Sequence, residues 1–387
     1  MFYNFVKTKF GTFTLIWKEN RLLKLNFPSS TPMASLNNCT GFSANIKKQE
    51  LDQYVGPLST QLTSYLECAK PINIKFKQSY DSVYSDFQKD IFDLVKLIPL
   101  GQTKSYLEIS QELGYSNGAR AVGQALKKNL TPLFIPCHRV VASNGALIGY
   151  SPQGGTFWQA FLLYRETGLN FSNILVHELV QGSDHIAQRD SKLKKVIQFH
   201  GPPALFRNDS ATFFQILVRT IVGQQLSVKA AQSIFMKLSK TLNYRITPKR
   251  ILLSKNKDLK DCGLSTKKID SIKRVADLFI NNYFPSNESL KLFSDDQIDD
   301  LLIKIKGIGR WTCDVIKLFY LRRLDTFPSG DLGVKKGFKK FYGVDIDSKK
   351  GIAITDKWSP YRGVASWYLW RLNDYNISDL RFVNDLD

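Results

Sequence analysis

Residues 303–314 read Ile-Lys-Ile-Lys-Gly-Ile-Gly-Arg-Trp-Thr-Cys-Asp, and the way this stretch folds decides the class of the larger part of the chain. Two glycines one residue apart, Gly307 and Gly309, interrupt two apolar runs of helical spacing, SDDQIDDLLIKI before them and RWTCDVIKLFYL after. A tight hairpin between two helices fits this pattern. Such a hairpin turns backbone amides outward at a helix N-terminus, where they can hold a phosphate without regard to sequence. Simple packing of one helix on the next would fit the glycines equally well.

Outward from the hairpin, apolar residues keep the i, i+3, i+4 spacing of helices from about residue 186 to the end, as in ATFFQILVRTIVGQQLSVKAAQSIF, STKKIDSIKRVADLF and VASWYLWRL. The N-terminal part reads differently. FGTFTLIW, RLLKLNF and INIKFKQ alternate as strands do, and the polar stretch SSTPMASLNNCTGFSANIKK between them reads as a loop. From about Ser85 the period becomes helical. FQKDIFDLVKLI is followed by GQTKSYLEISQELG and NGARAVGQALKKN, two short helices joined by YSNG with helix-turn-helix proportions. Asn, Ser and Gly around NFSN and QGSD mark a boundary at 169–185. The expected fold is α/β followed by all-α.

The 387 residues include 54 lysines and arginines against 34 acids, a net charge of +20. The excess is 18 against 11 up to Asn170 and 36 against 23 beyond it. Both parts are cationic, which points to a polyanionic partner such as nucleic acid, although a lysine-rich composition inherited from an AT-rich genome would produce part of the same excess. No apolar run approaches a membrane span, and MFYNFVKTKF lacks the features of a signal peptide, so an intracellular, non-membrane protein is expected. Five scattered cysteines with no CxxC pair argue against a zinc ribbon or an iron–sulfur cluster and fit reduced thiols.

One of those thiols, Cys137, stands in LFIPCHRVV beside His138 and Arg139. A base or a positive end near a thiol favours the nucleophilic thiolate. On an extended segment, though, adjacent side chains point to opposite faces, and a buried structural cysteine would read the same way. The preceding helix ARAVGQALKKN is rich in small residues that let a backbone approach a groove, with Arg120 as the long exception.

Residues 1–168 resemble the O6-alkylguanine-DNA alkyltransferases through IPCHRVV, GQTKSYLEIS, ARAVGQALKKN, IGYSPQGG and RETG in order. The resemblance implies a ribonuclease-H-like α/β subdomain over 1–82 and an active-site domain with a helix-turn-helix over 83–168. It makes Cys137 the alkyl acceptor, His138 a base acting through water and oriented by Glu166, and Asn129 a support of the active-site turn. Tyr106 becomes the donor to a flipped guanine and Arg120 the finger that fills the stack, while Tyr150 and Ser151 lie on a loop that closes over the extruded base.

Residues from about 185 to 375 resemble the helix-hairpin-helix DNA glycosylases, nearest to the AlkA-like 3-methyladenine enzymes, which implies a glycosylase domain over 186–387. TIVGQQLSVKAA, KGIGRWTCD, DTFPSGDLGVKKG and WSPYRGVASWYLWR carry the likeness. Lys306 departs from the proline that often precedes the hairpin glycines. The resemblance makes Asp331 the catalytic carboxylate, which by itself could equally be an ordinary helix cap. It places Gln224 and Gln225 on the pocket side, and Trp311, with Trp358 or Tyr361, in an aromatic wall for a cationic base. Tryptophan at 311, where lyase-type members have lysine, implies base excision without strand cleavage.

The two resemblances together imply a monomer that repairs alkylated bases in double-stranded DNA, transferring the group from O6-alkylguanine to Cys137 and excising N-alkylpurines with Asp331. Neither chemistry requires a cofactor or a catalytic metal, though a hairpin-bound monovalent cation is compatible with the second. The compartment would be cytoplasm and nucleoid in a prokaryote and the nucleus otherwise. An alkylation-responsive regulator or a scaffold is the alternative; it would need a zinc-cysteine sensor or decayed sites.

Overall fold

The alternation around FGTFTLIW becomes the centre of a five-stranded sheet. In a computed structural model, residues 2–18, 21–28, 47–48, 52–72, 77–78, 84–152, 155–170, 175–206 and 211–374 are described. Cys39, most of the polar stretch 29–48, residues 73–76 of INIKFKQ, and Gln153 and Gly154 lie outside them. The described chain forms two compact units, one of Met1–Asn208 with Trp370–Asp387, the other of Asp209–Leu369.

In the first unit β1 (Phe2–Thr8) and β2 (Gly11–Lys18) form an antiparallel hairpin, and β3 (Arg21–Asn26) pairs antiparallel with β2. Short edges β4 (Lys47–Lys48) and β5 (Lys77–Gln78) add in parallel, giving the order β4-β1-β2-β3-β5. Helix α1 (Asp52–Cys68) packs on β1. The alternating sequence suggests one wet face, but Gly11–Trp17 of β2 is buried throughout. The reason is a helix from far along the chain, as described below.

Next come α2 (Asp86–Lys96), the short α3 (Tyr106–Glu112) and α4 (Ala119–Leu126), then α5 (Thr156–Thr167), closed by Gly168 in the left-handed conformation. Strands β6 (Lys104–Ser105) and β7 (Val140–Val141) form a parallel pair that ties the segment before α3 to the segment after Cys137. The α3–α4 pair is the expected helical pair. Across most of the expected boundary at 169–185 lies helix α6 (Val176–Arg189), followed by α7 (Ser191–His200), which packs on β2.

Among its described residues the second unit is all helix: α8 (Phe213–Gly223), α9 (Val228–Thr241), α10 (Pro248–Leu253), α11 (Asn256–Asp261), α12 (Thr266–Ile280), α13 (Asn287–Leu292), α14 (Asp295–Ile303), α15 (Arg310–Val315), α16 (Leu332–Tyr342), α17 (Lys349–Thr355) and most of α18 (Arg362–Arg371). The starts are written locally: Thr212, Ser227, Thr247, Ser265, Ser286, Ser294, Asp331 and Ser348 each accept a hydrogen bond from a backbone amide of the first turn. Leu217, Val218, Ile221, Ile269, Ile272, Leu302 and Ile316 lie in one core that seats the hairpin.

Candidate active sites

Pro136 bends the chain into a single 3-10 turn, Cys137–Arg139, and the turn answers the objection raised by adjacent side chains: Cys137 and His138 are both buried. Asn129 holds the turn from below. Its Nδ2 donates to the Ile135 carbonyl at 3.0 Å and to Cys137 Sγ at 3.1 Å, while its Oδ1 accepts from Thr131 N. From α5, Gln159 donates to the carbonyls of His138 and Val140. Burial pushes the Cys137 thiol up to about 11, against the pull of Asn129 and of the Tyr150 hydroxyl. At rest the side chain is therefore a thiol and not a thiolate.

His138 is fully buried, and burial holds its pKa below the usual histidine value. Its Nε2 lies 2.8 Å from Glu166 Oε1 and 3.0 Å from the Tyr65 hydroxyl, while Nδ1 has no hydrogen-bond partner. Burial pushes the Glu166 carboxyl up, but His138, Arg139 and Tyr65 together outweigh it and hold the group well below the usual carboxylate range. Arg139 donates to both carboxylate oxygens, with Nη2 2.9 Å from Oε1, and its Nη1 reaches the Ile98 carbonyl. Gly101 N adds a 3.0 Å bond. A carboxylate so held accepts, so Nε2 is the protonated nitrogen and Nδ1 the basic one.

Of the remaining expected residues, Tyr106 and Tyr150 lie close enough to Cys137 to interact with it electrostatically. Tyr106, at the start of α3, rests its ring against Gly123 of α4, where an added Cβ would lie 3.8 Å from it, and its hydroxyl donates to the Ile148 carbonyl. Burial raises that phenol to about 12. Arg120 is exposed near the N-terminus of α4; Tyr150 is buried and Ser151 exposed. The sequence reading missed Tyr65, which lies on α1, a helix that it did not identify, and gave Arg139 no role.

In the second unit the two hairpin glycines have separate duties. Gly307 has φ +97°, and a Cβ there would lie 2.0 Å from Ser271 Oγ, so α12 requires its absence. Gly309 caps α15 without a side chain, and nothing lies within 4 Å of its would-be Cβ. Gln224 braces the turn by donating to the Gly307 carbonyl (3.0 Å) and to Thr312 Oγ1 (3.1 Å). The loop after it is strained at Gln225 (φ +55°), which is exposed, and Lys268 pins it by donating to the carbonyls of Val222 and Gln224.

Asp331 is the helix cap that the sequence allowed, and it has a second bond besides. Its Oδ1 accepts from Val334 N and caps α16, and its Oδ2 accepts from Trp311 Nε1 at 2.8 Å. Two segments twenty residues apart thus meet at one carboxylate beside an indole. Trp358 does not join them. It is completely buried among Phe327, Phe338 and Tyr342, with no face left for a ligand, and it belongs to the core. Among the described residues no group of His, Cys, Asp and Glu could hold a metal ion.

Residues 86–168 match the DNA-binding domain of 6-O-methylguanine DNA methyltransferase, and residues 218–360 match the HhH-GPD superfamily of base excision DNA repair proteins. DNA-3-methyladenine glycosylase 1 of Schizosaccharomyces pombe is 30% identical over 209 residues, 52% of this chain and 92% of that protein. The constitutive methylated-DNA--protein-cysteine methyltransferase of Bacillus subtilis is 44% identical over 77 residues, 20% of this chain and 46% of that protein. The solved S. pombe 3-methyladenine DNA glycosylase, in complex with abasic DNA, aligns with 51% of this chain and 98% of its own, at 29% identity and TM-score 0.46.

Proposed function

Since the chain belongs to the HhH-GPD superfamily of base excision DNA repair proteins, and carries a methyltransferase DNA-binding domain ahead of that region, we propose that it is a bifunctional repair protein for alkylated duplex DNA. The first activity is a single transfer of the alkyl group of O6-alkylguanine to Cys137. The second is hydrolytic release of N-alkylated purines such as 3-methyladenine at Asp331. In this reading both target bases leave the stack before reaction, at a cost of a few kcal/mol, because neither reacting atom is accessible inside a duplex.

At the first site, Cys137 Sγ attacks the alkyl carbon while the C–O6 bond breaks. The thiol proton passes through water to His138 Nδ1, and guanine takes up a proton as it leaves, helped by a hydrogen bond from Tyr106. A thioether is not hydrolysed, so each molecule reacts once. The observation that carries this reading is the thiol held by Asn129 beside an imidazole whose other nitrogen is fixed by Glu166. The five-stranded sheet before it is read as ribonuclease-H-like.

At the second site, alkylation at purine N3 or N7 makes the base a cationic leaving group, so the developing charge on the sugar is what needs help. Asp331 faces that charge or activates water, and the indole bond fixes its Oδ2. Trp311 cannot form a Schiff base, so the reading is a glycosylase that leaves the strand uncut.

The test uses one duplex with O6-methylguanine and one with a 3-methyladenine-type lesion, following methyl transfer to protein and base release. Cys137→Ser is expected to lose transfer alone and Asp331→Asn to lose release alone; Asn keeps the helix cap, so the fold is preserved. Base release that survives Asp331→Asn would overturn the second assignment. A wild type that binds both duplexes and changes neither would make the protein a sensor or scaffold.

A further inference from the structure

We propose that Tyr65, on a helix outside the stretch matched by the methyltransferase domain, is a positioning residue for alkyl transfer: its hydroxyl, shared between His138 Nε2 and Glu166, fixes which imidazole nitrogen is basic and how strongly Glu166 holds the imidazolium. The proposal rests on the alkyl-transfer reading above.

Tyr65 is 3% exposed and packs edge-on against the His138 ring. Its hydroxyl has one proton and two neighbours. Glu166 is an ionised acceptor and accepts the hydroxyl's hydrogen bond, which leaves the phenolic lone pair for Nε2–H. The Nε2–H is therefore forked between two oxygens, both acceptors, and the opposite tautomer would set an unprotonated nitrogen against the Glu166 anion and either against the phenolic lone pair or at the expense of the phenol's bond to Glu166. Burial and Glu166 keep the phenol protonated far above neutral pH, so the arrangement persists through the working range.

The second effect is on basicity. When His138 takes the thiol proton it becomes an imidazolium, compensated by Glu166. Every donor to Glu166 spends part of that negative charge. Arg139 and Gly101 N are two such donors; Tyr65 is the third, and the only one that also touches the imidazole. The other titratable groups on the packed elements are Cys137, Tyr150, which interacts with both Cys137 and Tyr65, Tyr106, and Arg165 on α5, whose guanidinium donates to the Glu67 carbonyl at the end of α1. Substituting Tyr65 leaves all of these in place. It returns charge to Glu166, and the charged donor bond lost outweighs the neutral acceptor lost from the fork.

The experiment measures single-turnover methyl transfer from an O6-methylguanine duplex against pH, together with duplex affinity, for the full chain. In Tyr65→Phe the acidic limb governed by His138 is expected to rise by about half to one pH unit, with affinity unchanged. Tyr65 replaced by 3-fluorotyrosine, a stronger donor of the same shape, is expected to move the limb downward. A role in packing alone would leave both limbs on the wild-type curve, and that result overturns the proposal, as does an effect confined to affinity. If wild-type protein transfers no methyl group, the alkyl-transfer reading itself falls; if it transfers and the Tyr65 variants superimpose on it, only the role of Tyr65 falls.

Discussion

Gly307 and Gly309 are separated by a single residue and look interchangeable in sequence, yet their surroundings separate them. At Gly307 a β-carbon would collide with Ser271 in a left-handed backbone, so Gly307→Ala is expected to destabilise the second unit by about 2–4 kcal/mol in denaturant titration. At Gly309 the backbone is extended and the space empty, so Gly309→Ala should fold normally and weaken duplex binding several-fold. Equal losses of stability in both variants would contradict this division. Cys137 makes a pH statement of the same residue-level kind. Burial raises its thiol from 9.0 to about 11, so the native state binds the proton more tightly than the unfolded chain does. The resulting stabilisation, on the order of 2–3 kcal/mol, is complete below about pH 9 and is lost as pH climbs toward 11. The stability difference between wild type and Cys137→Ser should therefore shrink over that interval. The neighbourhood of Asn129 and Cys137 and the cap at Asp331 were legible because these residues bond within a short stretch, whereas the bonds of Glu166 to His138 and Gly101 span 28 and 65 positions and were reached only through the resemblance. Trp358 was misread because an aromatic residue in sequence carries no sign of whether its face is open or buried.

The helices of the second unit were readable one by one, since their apolar spacing and their Ser/Thr/Asp starts agree. Helix α1 was not. It contains Gly56 and Pro57, two poor helix formers, and Pro57 removes an amide inside the helix, so the local sequence argues against the element that packing on β1 stabilises. The same helix supplies Tyr65, so the gap in the element reading became a gap in the site. The hairpin shows what an element can hide behind its motif. Lys317 is 3% exposed, and its ammonium lies 2.9 Å from Asp299 Oδ1 and 3.5 Å from Asp314, with Arg310 also bonded to Asp299. This buried cluster joins α14 to α15 on either side of the two glycines. Breaking it from one side leaves uncompensated charge, so Lys317→Met is expected to cost about 3–5 kcal/mol, whereas a variant that also replaces Asp299 and Asp314 by apolar residues should recover most of that loss. Thermal melting of the two variants decides it; equal melting temperatures would mean that the cluster is not an electrostatic unit.

At the scale of the whole molecule, the boundary that composition suggests and the boundary that packing makes are different. Asn, Ser and Gly at 169–185 look like a linker, and α5 ends at Gly168 with a left-handed cap as a domain helix should. The next two helices nevertheless stay with the first unit, which runs to Asn208 and takes back the chain from Trp370. The contact is close: a β-carbon on Gly201, just after α7, would lie 1.8 Å from the Phe10 carbonyl oxygen in the turn between β1 and β2. Phe10 itself is buried against Phe161 of α5, and Leu193, Val196, Ile197 and Phe199 of α7 are buried as well. This is why β2 is covered on both faces. A sequence pattern with period two reports what a strand needs on one face, and it cannot report a helix arriving from 170 residues away. The physical consequence is that the alkyltransferase part should not be separable at its compositional edge. A chain ending at Gly168 uncovers the β2 face and several large apolar side chains, worth on the order of 3–6 kcal/mol at about 25 cal/mol per Å² of surface returned to water. A chain ending at Asn208 keeps that cover and should denature at a clearly higher urea concentration, with methyl transfer retained where the shorter chain loses it on warming. Coincident unfolding curves for the two chains would show that α6 and α7 rest on the sheet without supporting it.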